Sequence, residues 1–97
     1  MPDQRLTEDE KREWMLALAR TFPSHARLEA WNPEKVNQRA MRGASHGEKV
    51  TARFLLSVWN QWETHEIGRF DLFEALQVWD PEHLAAFRAW MADPIRF

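Results

Sequence analysis

The sequence predicts an all-α protein, a single-domain and bundle-like array of about five helices around an aromatic-rich core. Three observations lead to this prediction. Apolar residues recur in several segments at the three- and four-residue spacing of one helix face. Side chains that cap helix N-termini precede most of these segments. Six tryptophans and six phenylalanines can fill the core, and no alternating strand pattern of useful length is present.

The length and composition set the domain count and exclude several classes. A chain of 97 residues fits one hydrophobic core, so we expect one domain over residues 1–97, with residues 1–6 as a disordered tail. The absence of cysteine excludes disulfides and thiolate chemistry. No segment reaches the roughly 18 consecutive apolar residues of a membrane span. We therefore expect a soluble, cytoplasmic protein without a membrane partner.

The first helix is predicted from its N-terminal cap and its apolar stripe. Thr7 and Glu10 have the spacing of a capping box, and Pro23 ends the run. The stripe consists of Trp14, Met15, Leu18 and Phe22. This spacing predicts a helix that packs along one face.

The second helix begins with Asn32 as the cap and Pro33 as the first helical residue, and we expect it to reach Arg42. Gly43 then offers a stop. Whether the chain breaks at Gly43 or continues as one helix stays open from the sequence.

The central helix is predicted over residues 46–62. Ser45 and Glu48 have the spacing of a second capping box. The apolar positions that recur at helical spacing are Val50, Phe54, Leu55, Val58, Trp59 and Trp62. Their number predicts that this helix lies at the centre of the fold.

Two further helices are predicted near the C-terminus. Asp71 and Glu74 form a box-like cap for a short helix that runs through Val78 and carries the apolar residues Leu72, Phe73, Ala75 and Leu76. Asp80 and Pro81 then provide a cap and a first-turn proline for the last helix, which stops before Pro94.

No pattern in the sequence indicates catalysis or metal binding. His65 and Glu66 resemble the start of a zinc-protease helix, but Arg69 stands where that motif needs its second histidine. His25 and Glu29 could share a metal ion, yet a closed site needs about four ligands. We therefore expect no enzymatic activity, no cofactor and no bound metal.

Five basic residues between positions 39 and 53 are candidates for nucleic-acid binding. They are Arg39, Arg42, His46, Lys49 and Arg53. On one continuous helix they form a basic ridge, whereas a turn at Gly43 gives a helix-turn-helix layout. The plainer interpretation is a solvated face, because the run is short and the net charge of the chain is −2.

The tryptophans divide into a core set and a candidate binding set. Trp14, Trp31, Trp79 and Trp90 occupy stripe or staple positions and are expected in the core. Trp59 and Trp62 lie near a helix end among polar residues, so we expect one of them to stay partly exposed. With Glu63 and Glu66 they form the candidate partner-binding patch, which is aromatic and acidic.

The C-terminal half of the chain shows a resemblance to a group of proteins. It lies in RFLLSVWN (residues 53–60), in GRFDLFEALQVWD (residues 68–80) and in the spaced His83, Phe87, Trp90 and Pro94. These segments resemble small uncharacterised proteins carried on bacterial plasmids, integrative elements and genomic islands. The resemblance implies a bacterial accessory role, either as a regulator or as an inhibitor of host defence complexes, and it assigns no functional residues.

The primary hypothesis is a non-enzymatic module that binds a larger protein partner, for example as an anti-CRISPR-like inhibitor of host defence. The alternative is a small helix-turn-helix-like DNA-binding regulator that uses the basic residues 39–53. A third hypothesis is a homo-oligomer that pairs through exposed aromatic side chains.

Overall fold

The computed structural model describes residues 6–60, 62–63 and 65–94. These residues form five α-helices, and none of them lies in a β-strand, so the all-α prediction is confirmed. The helices are α1 (Glu8–Arg20), α2 (Pro33–Met41), α3 (His46–Trp59), α4 (Leu72–Val78) and α5 (Pro81–Ala92), with a 3-10 turn (Pro23–His25) after α1. None of these helices is long and apolar enough to cross a membrane. Of the predicted disordered tail, residues 1–5 lie outside the described residues, and Leu6 is partly buried.

The helices begin at the predicted capping residues. The Thr7 hydroxyl accepts the Glu10 N–H and the Glu10 carboxylate accepts the Thr7 N–H, each at 3.1 Å, so this capping box is confirmed. The hydrogen bond from the Thr7 backbone lowers the pKa of Glu10. At Ser45 the hydroxyl accepts the Glu48 N–H, but the Glu48 carboxylate contacts that hydroxyl instead of the Ser45 backbone. Side chains of Asn32, Asp71 and Asp80 cap α2, α4 and α5.

The chain breaks between α2 and α3, which settles the question that the sequence left open. α2 ends at Met41, one residue before the predicted end at Arg42, and Gly43 has a φ of +77°. A residue with a side chain is strained at this φ, so glycine suits the turn. Of the two layouts that the sequence allowed for the basic residues, the continuous ridge is therefore excluded, because these residues lie on two helices and the turn between them.

Two helices end earlier than predicted. α1 ends at Arg20, so Phe22 lies beyond it, and α3 ends at Trp59, so Trp62 lies in the following loop. The Asn60 backbone is extended, and its side-chain carbonyl accepts the Trp62 N–H at 3.1 Å. This local hydrogen bond replaces the helical one, which is a common competition for Asn side chains.

The core is centred on α3, which contacts α1, α2, α4 and the 3-10 turn. The Phe54 ring on α3 lies 5.0–6.1 Å, centroid to centroid, from five other aromatic rings. Those rings belong to Phe22, Phe70, Trp79, Phe87 and Trp90. Most of these pairs are tilted or edge-to-face, the arrangement that aromatic quadrupoles favour.

The core tryptophans were only partly predicted. Trp31 and Trp79 are buried and Trp90 is half-buried, whereas Trp14 is 46% exposed, so its assignment to the core is wrong. The buried line of α1 runs through Met15, Leu18 and Ala19, and Trp14 lies one position away from it. A shift of one residue rotates a helical side chain by about 100°, which is enough to move a large ring to the rim.

One buried hydrogen bond joins α3 to the segment between α4 and α5. The Trp79 indole N–H donates to the Thr51 hydroxyl at 2.9 Å, and that hydroxyl donates to the Gly47 carbonyl at 2.8 Å. Thr51 is fully buried at the centre of α3. Without the hydroxyl, the indole N–H would stay buried and unpaired.

Two buried histidines lie where the 3-10 turn meets α5, and His83 joins the two elements. The Ser24 N–H donates to His83 Nε2 at 3.2 Å, and His83 Nδ1 pairs with the Asp80 carboxylate at 2.9 Å. The Ser24 hydroxyl lies 2.8 Å from His25 Nδ1. Burial lowers the pKa of His25 from 6.5 to about 4, and the nearby positive charge of Arg39 acts in the same direction.

We predict that Thr51→Val lowers the free energy of unfolding by about 1–3 kcal/mol, because the variant keeps the shape and leaves the Trp79 N–H unpaired. Urea unfolding measures this change. In a Trp79→Phe background the same substitution should cost less, by at least about 0.5 kcal/mol. Strict additivity of the two substitutions would contradict the hydrogen bond.

Acid should destabilise the fold through His25. The unfolded chain takes up this proton near pH 6.5 and the folded protein near pH 4, so stability falls as the pH drops through that window. The loss from this group is at most about 3 kcal/mol. In His25→Gln that contribution is absent, so the difference in unfolding free energy between wild type and variant should narrow between about pH 7 and pH 4.5. Curves that stay parallel would contradict the prediction.

Candidate functional site

The structure separates the four predicted partner-binding residues. Trp59 is half-buried, with its ring 5.9 Å from the Trp31 ring and the Arg12 guanidinium 5.3 Å above it. Trp59 therefore contributes to packing between α1, α3 and the segment before α2. Trp62, by contrast, is 83% exposed, and Glu63 and Glu66 are also exposed.

Fixed contacts hold the loop that carries these exposed residues. The buried Ile67 donates its N–H to the Asn37 side chain at 3.3 Å, and its carbonyl accepts from Arg53 Nε at 2.6 Å. Gly68 follows with a φ of +89° and donates its N–H to the His65 carbonyl at 2.9 Å. The two bonds of Ile67 connect it to α2 and α3, so this residue has a defined position on the core.

The most exposed large apolar side chains cluster in one stretch of the chain. Seven such side chains are exposed in the described residues, and four of them lie within residues 62–76. Those four are Trp62, Leu72, Phe73 and Leu76. The other three, Trp14, Met41 and Met91, lie on α1, α2 and α5. We call residues 62–76 the exposed segment.

Helix α4 presents its larger apolar side chains to solvent. Leu72, Phe73 and Leu76 occupy adjacent positions on one side of the helix, and Phe73 is 78% exposed. Ala75 is the only residue of α4 that is fully buried, and Val78 is half-buried. The sequence analysis identified these apolar residues as helical but did not separate the two faces. A helical projection would have placed Ala75 and Val78 together and opposite to Phe73.

Polar contacts attach α4 to α3. The Glu74 carboxylate accepts from Arg53 Nη1 at 2.7 Å and lies 3.1 Å from His46 Nε2. The hydrogen bond with His46 is the largest cause that lowers the pKa of Glu74, and Arg53 acts in the same direction. The sequence assigned Glu74 only to the start of a helix.

The fold uses three of the five candidate nucleic-acid-binding residues. Arg53 and His46 hold Glu74, and Arg39 Nη2 donates to the Ser24 carbonyl at 3.3 Å and lies 3.7 Å from the Glu48 carboxylate. Arg42 and Lys49 have no ion pair with any described residue. The phosphate-binding capacity of this group is therefore smaller than its charge count suggests.

The serine, imidazoles and carboxylate near the 3-10 turn do not form a nucleophilic triad. His83 Nε2 accepts the Ser24 backbone N–H, so it is not available to the Ser24 hydroxyl. The hydroxyl pairs with His25, whose pKa of about 4 makes it a weak base at neutral pH. Within the described residues, no group of three potential ligands is placed to hold a metal ion.

No known protein family, curated protein or solved structure matches this chain. The resemblance to proteins of bacterial mobile elements therefore stays a prediction.

We predict that Arg53→Met lowers the free energy of unfolding by about 1–3 kcal/mol, because the Glu74 carboxylate and the Ile67 carbonyl lose their donor. Arg42→Met removes the same charge from the turn between α2 and α3, and it should change the free energy of unfolding by less than about 0.5 kcal/mol. Thermal or urea unfolding compares the two variants. Equal effects would contradict the structural role of Arg53.

Proposed function

We propose that this protein is a non-enzymatic module that binds a larger protein partner through the exposed segment. The clustering of exposed apolar side chains in residues 62–76 carries this proposal. Single exposed apolar residues are common on soluble proteins and need no explanation. Here, however, Leu72, Phe73 and Leu76 share one side of α4, and Trp62, a residue type enriched at interaction surfaces, is exposed earlier in the same stretch of the chain.

The folding energetics support the same proposal. A side chain that is exposed in both the folded and the unfolded chain gains little hydrophobic free energy on folding. Trp62 and Phe73 are 83% and 78% exposed, so the fold does not need their bulk. Burial against a partner would contribute about 1.5–3 kcal/mol for each large apolar side chain.

Charge indicates what kind of partner surface fits. Glu63 and Glu66 follow the exposed tryptophan in the sequence, and residues 60–97 contain seven acidic and three basic residues. A partner surface with basic groups at its rim would be complementary, and this includes a nucleic-acid-binding groove on a protein. Inhibition of a bacterial host defence complex, the role that the sequence resemblance implies, is one form that such binding would take.

We expect Trp62→Ala and Phe73→Ala each to weaken partner binding about tenfold or more, because each removes a side chain that the complex would bury. The measurement is quantitative affinity capture from a native bacterial extract, with and without nuclease treatment. Each variant serves as bait. Trp14→Ala, a comparable truncation on α1, is the matched control and should retain the same companions as wild type. Glu63→Lys tests the charge complementarity and should also reduce capture.

Three outcomes would contradict the proposal. All variants could retain the same companions, nuclease could release them, or the chain could capture only itself. Release by nuclease would favour the nucleic-acid alternative, whose affinity should fall steeply with salt. Self-capture with concentration-dependent sedimentation would favour the homo-oligomer.

A further inference from the structure

A small open pocket lies between α3 and the loop that follows it. Its volume is about 190 Å³. Arg53 lines it from α3, while Trp62, His65, Arg69 and Phe70 line it from the loop. Pockets for drug-sized ligands typically measure about 300–1,000 Å³, so this one suits a single side chain rather than a cofactor.

The pocket contains hydrogen-bond donors that the fold leaves available. Arg69 is exposed and forms no ion pair with the described residues. Arg53 uses Nε and Nη1 for Ile67 and Glu74, and its Nη2 forms no hydrogen bond within the described part of the chain. Two guanidinium groups on one pocket are a common arrangement for an anionic ligand.

His65 also lines the pocket. A carboxylate in the pocket would supply an acceptor for the guanidinium groups of Arg53 and Arg69.

The local charge favours a carboxylate over a phosphate. Glu63 also lines the pocket, and Glu74 already neutralises part of the Arg53 charge. A dianionic phosphate would be repelled by these carboxylates more strongly than a singly charged carboxylate. The rings of Trp62 and Phe70 also line the pocket and would offer a packing surface to an apolar group.

We infer that this pocket accepts an acidic side chain of the partner, flanked by an apolar one, with Arg69 as the principal charged contact. The inference rests on the proposed function, since it assigns one contact within the protein complex. The pocket presents two guanidinium groups, while the surrounding C-terminal part of the chain is acidic. An acidic residue within an otherwise basic partner surface would therefore fix the register of the complex.

The test uses the isolated protein and two blocked dipeptides, acetyl-Phe-Glu-amide and acetyl-Phe-Gln-amide, which differ in one carboxylate. Titrations are followed in ¹⁵N–¹H spectra at the Gly68 and Arg69 amides and the Trp62 indole. We expect the glutamate peptide to bind about fivefold or more tightly than the glutamine peptide. In Arg69→Gln that preference should be lost, while Arg88→Gln, the same substitution on an exposed residue of α5, should keep it.

Several results would overturn the inference. These are equal affinity for the two peptides, a preference that survives Arg69→Gln, shifts absent from the pocket signals, or tighter binding of acetyl-Phe-phosphoserine-amide. The titration needs no partner, so its failure is distinct from failure of the capture experiment. Loss of capture in Trp62→Ala together with equal peptide affinities would leave the proposed function standing and remove only this pocket.

Discussion

The Phe54 ring lies within 6.1 Å, centroid to centroid, of five aromatic rings that come from both sides of α3 in the sequence. Its contacts bring together the end of α1, the loop before α4, and α5. A chain of this size buries a smaller share of its surface than a large domain, so few residues carry the hydrophobic stability. Large aromatic rings supply the buried apolar area with few side chains, and the other elements pack around these rings.

The preceding residue on α3, Arg53, extends this constraint from the core to the surface. Its guanidinium bonds the Ile67 carbonyl at 2.6 Å and the Glu74 carboxylate at 2.7 Å, so one side chain holds both the loop and α4. The exposed segment is therefore attached on the outer side of the helix whose inner side forms the core. A binding surface held in this way loses little conformational entropy when a partner docks.

The sequence predicted the local features of the fold better than the tertiary ones. Caps at Thr7, Asn32, Asp71 and Asp80 depend on residues three positions apart at most, and all four are present. The position of Trp14 depends on how α1 rotates against its neighbours. That rotation is set by packing between distant segments, which periodicity within one segment cannot specify.

The candidate site shows the same division. Their polar neighbours predicted that one of Trp59 and Trp62 would stay partly exposed, and Trp62 is that residue. Trp59 lies only three residues earlier, but contacts with Trp31 and Arg12, from other parts of the chain, hold it in a packed position. The internal pairing of Arg53 was missed for the same reason, because its partners lie 14 and 21 residues away.

Helix α4 shows how a small fold can carry exposed apolar side chains. Its fully buried contribution is a single alanine, which alone would dock a seven-residue helix weakly. The pairing of Glu74 with Arg53 and His46 adds charge-assisted hydrogen bonds to that burial. Because the polar contacts of Glu74 also hold α4 against α3, the side chains of Leu72, Phe73 and Leu76 need not face the core. The fold thus leaves these three side chains available to a partner without giving up the position of the helix that bears them.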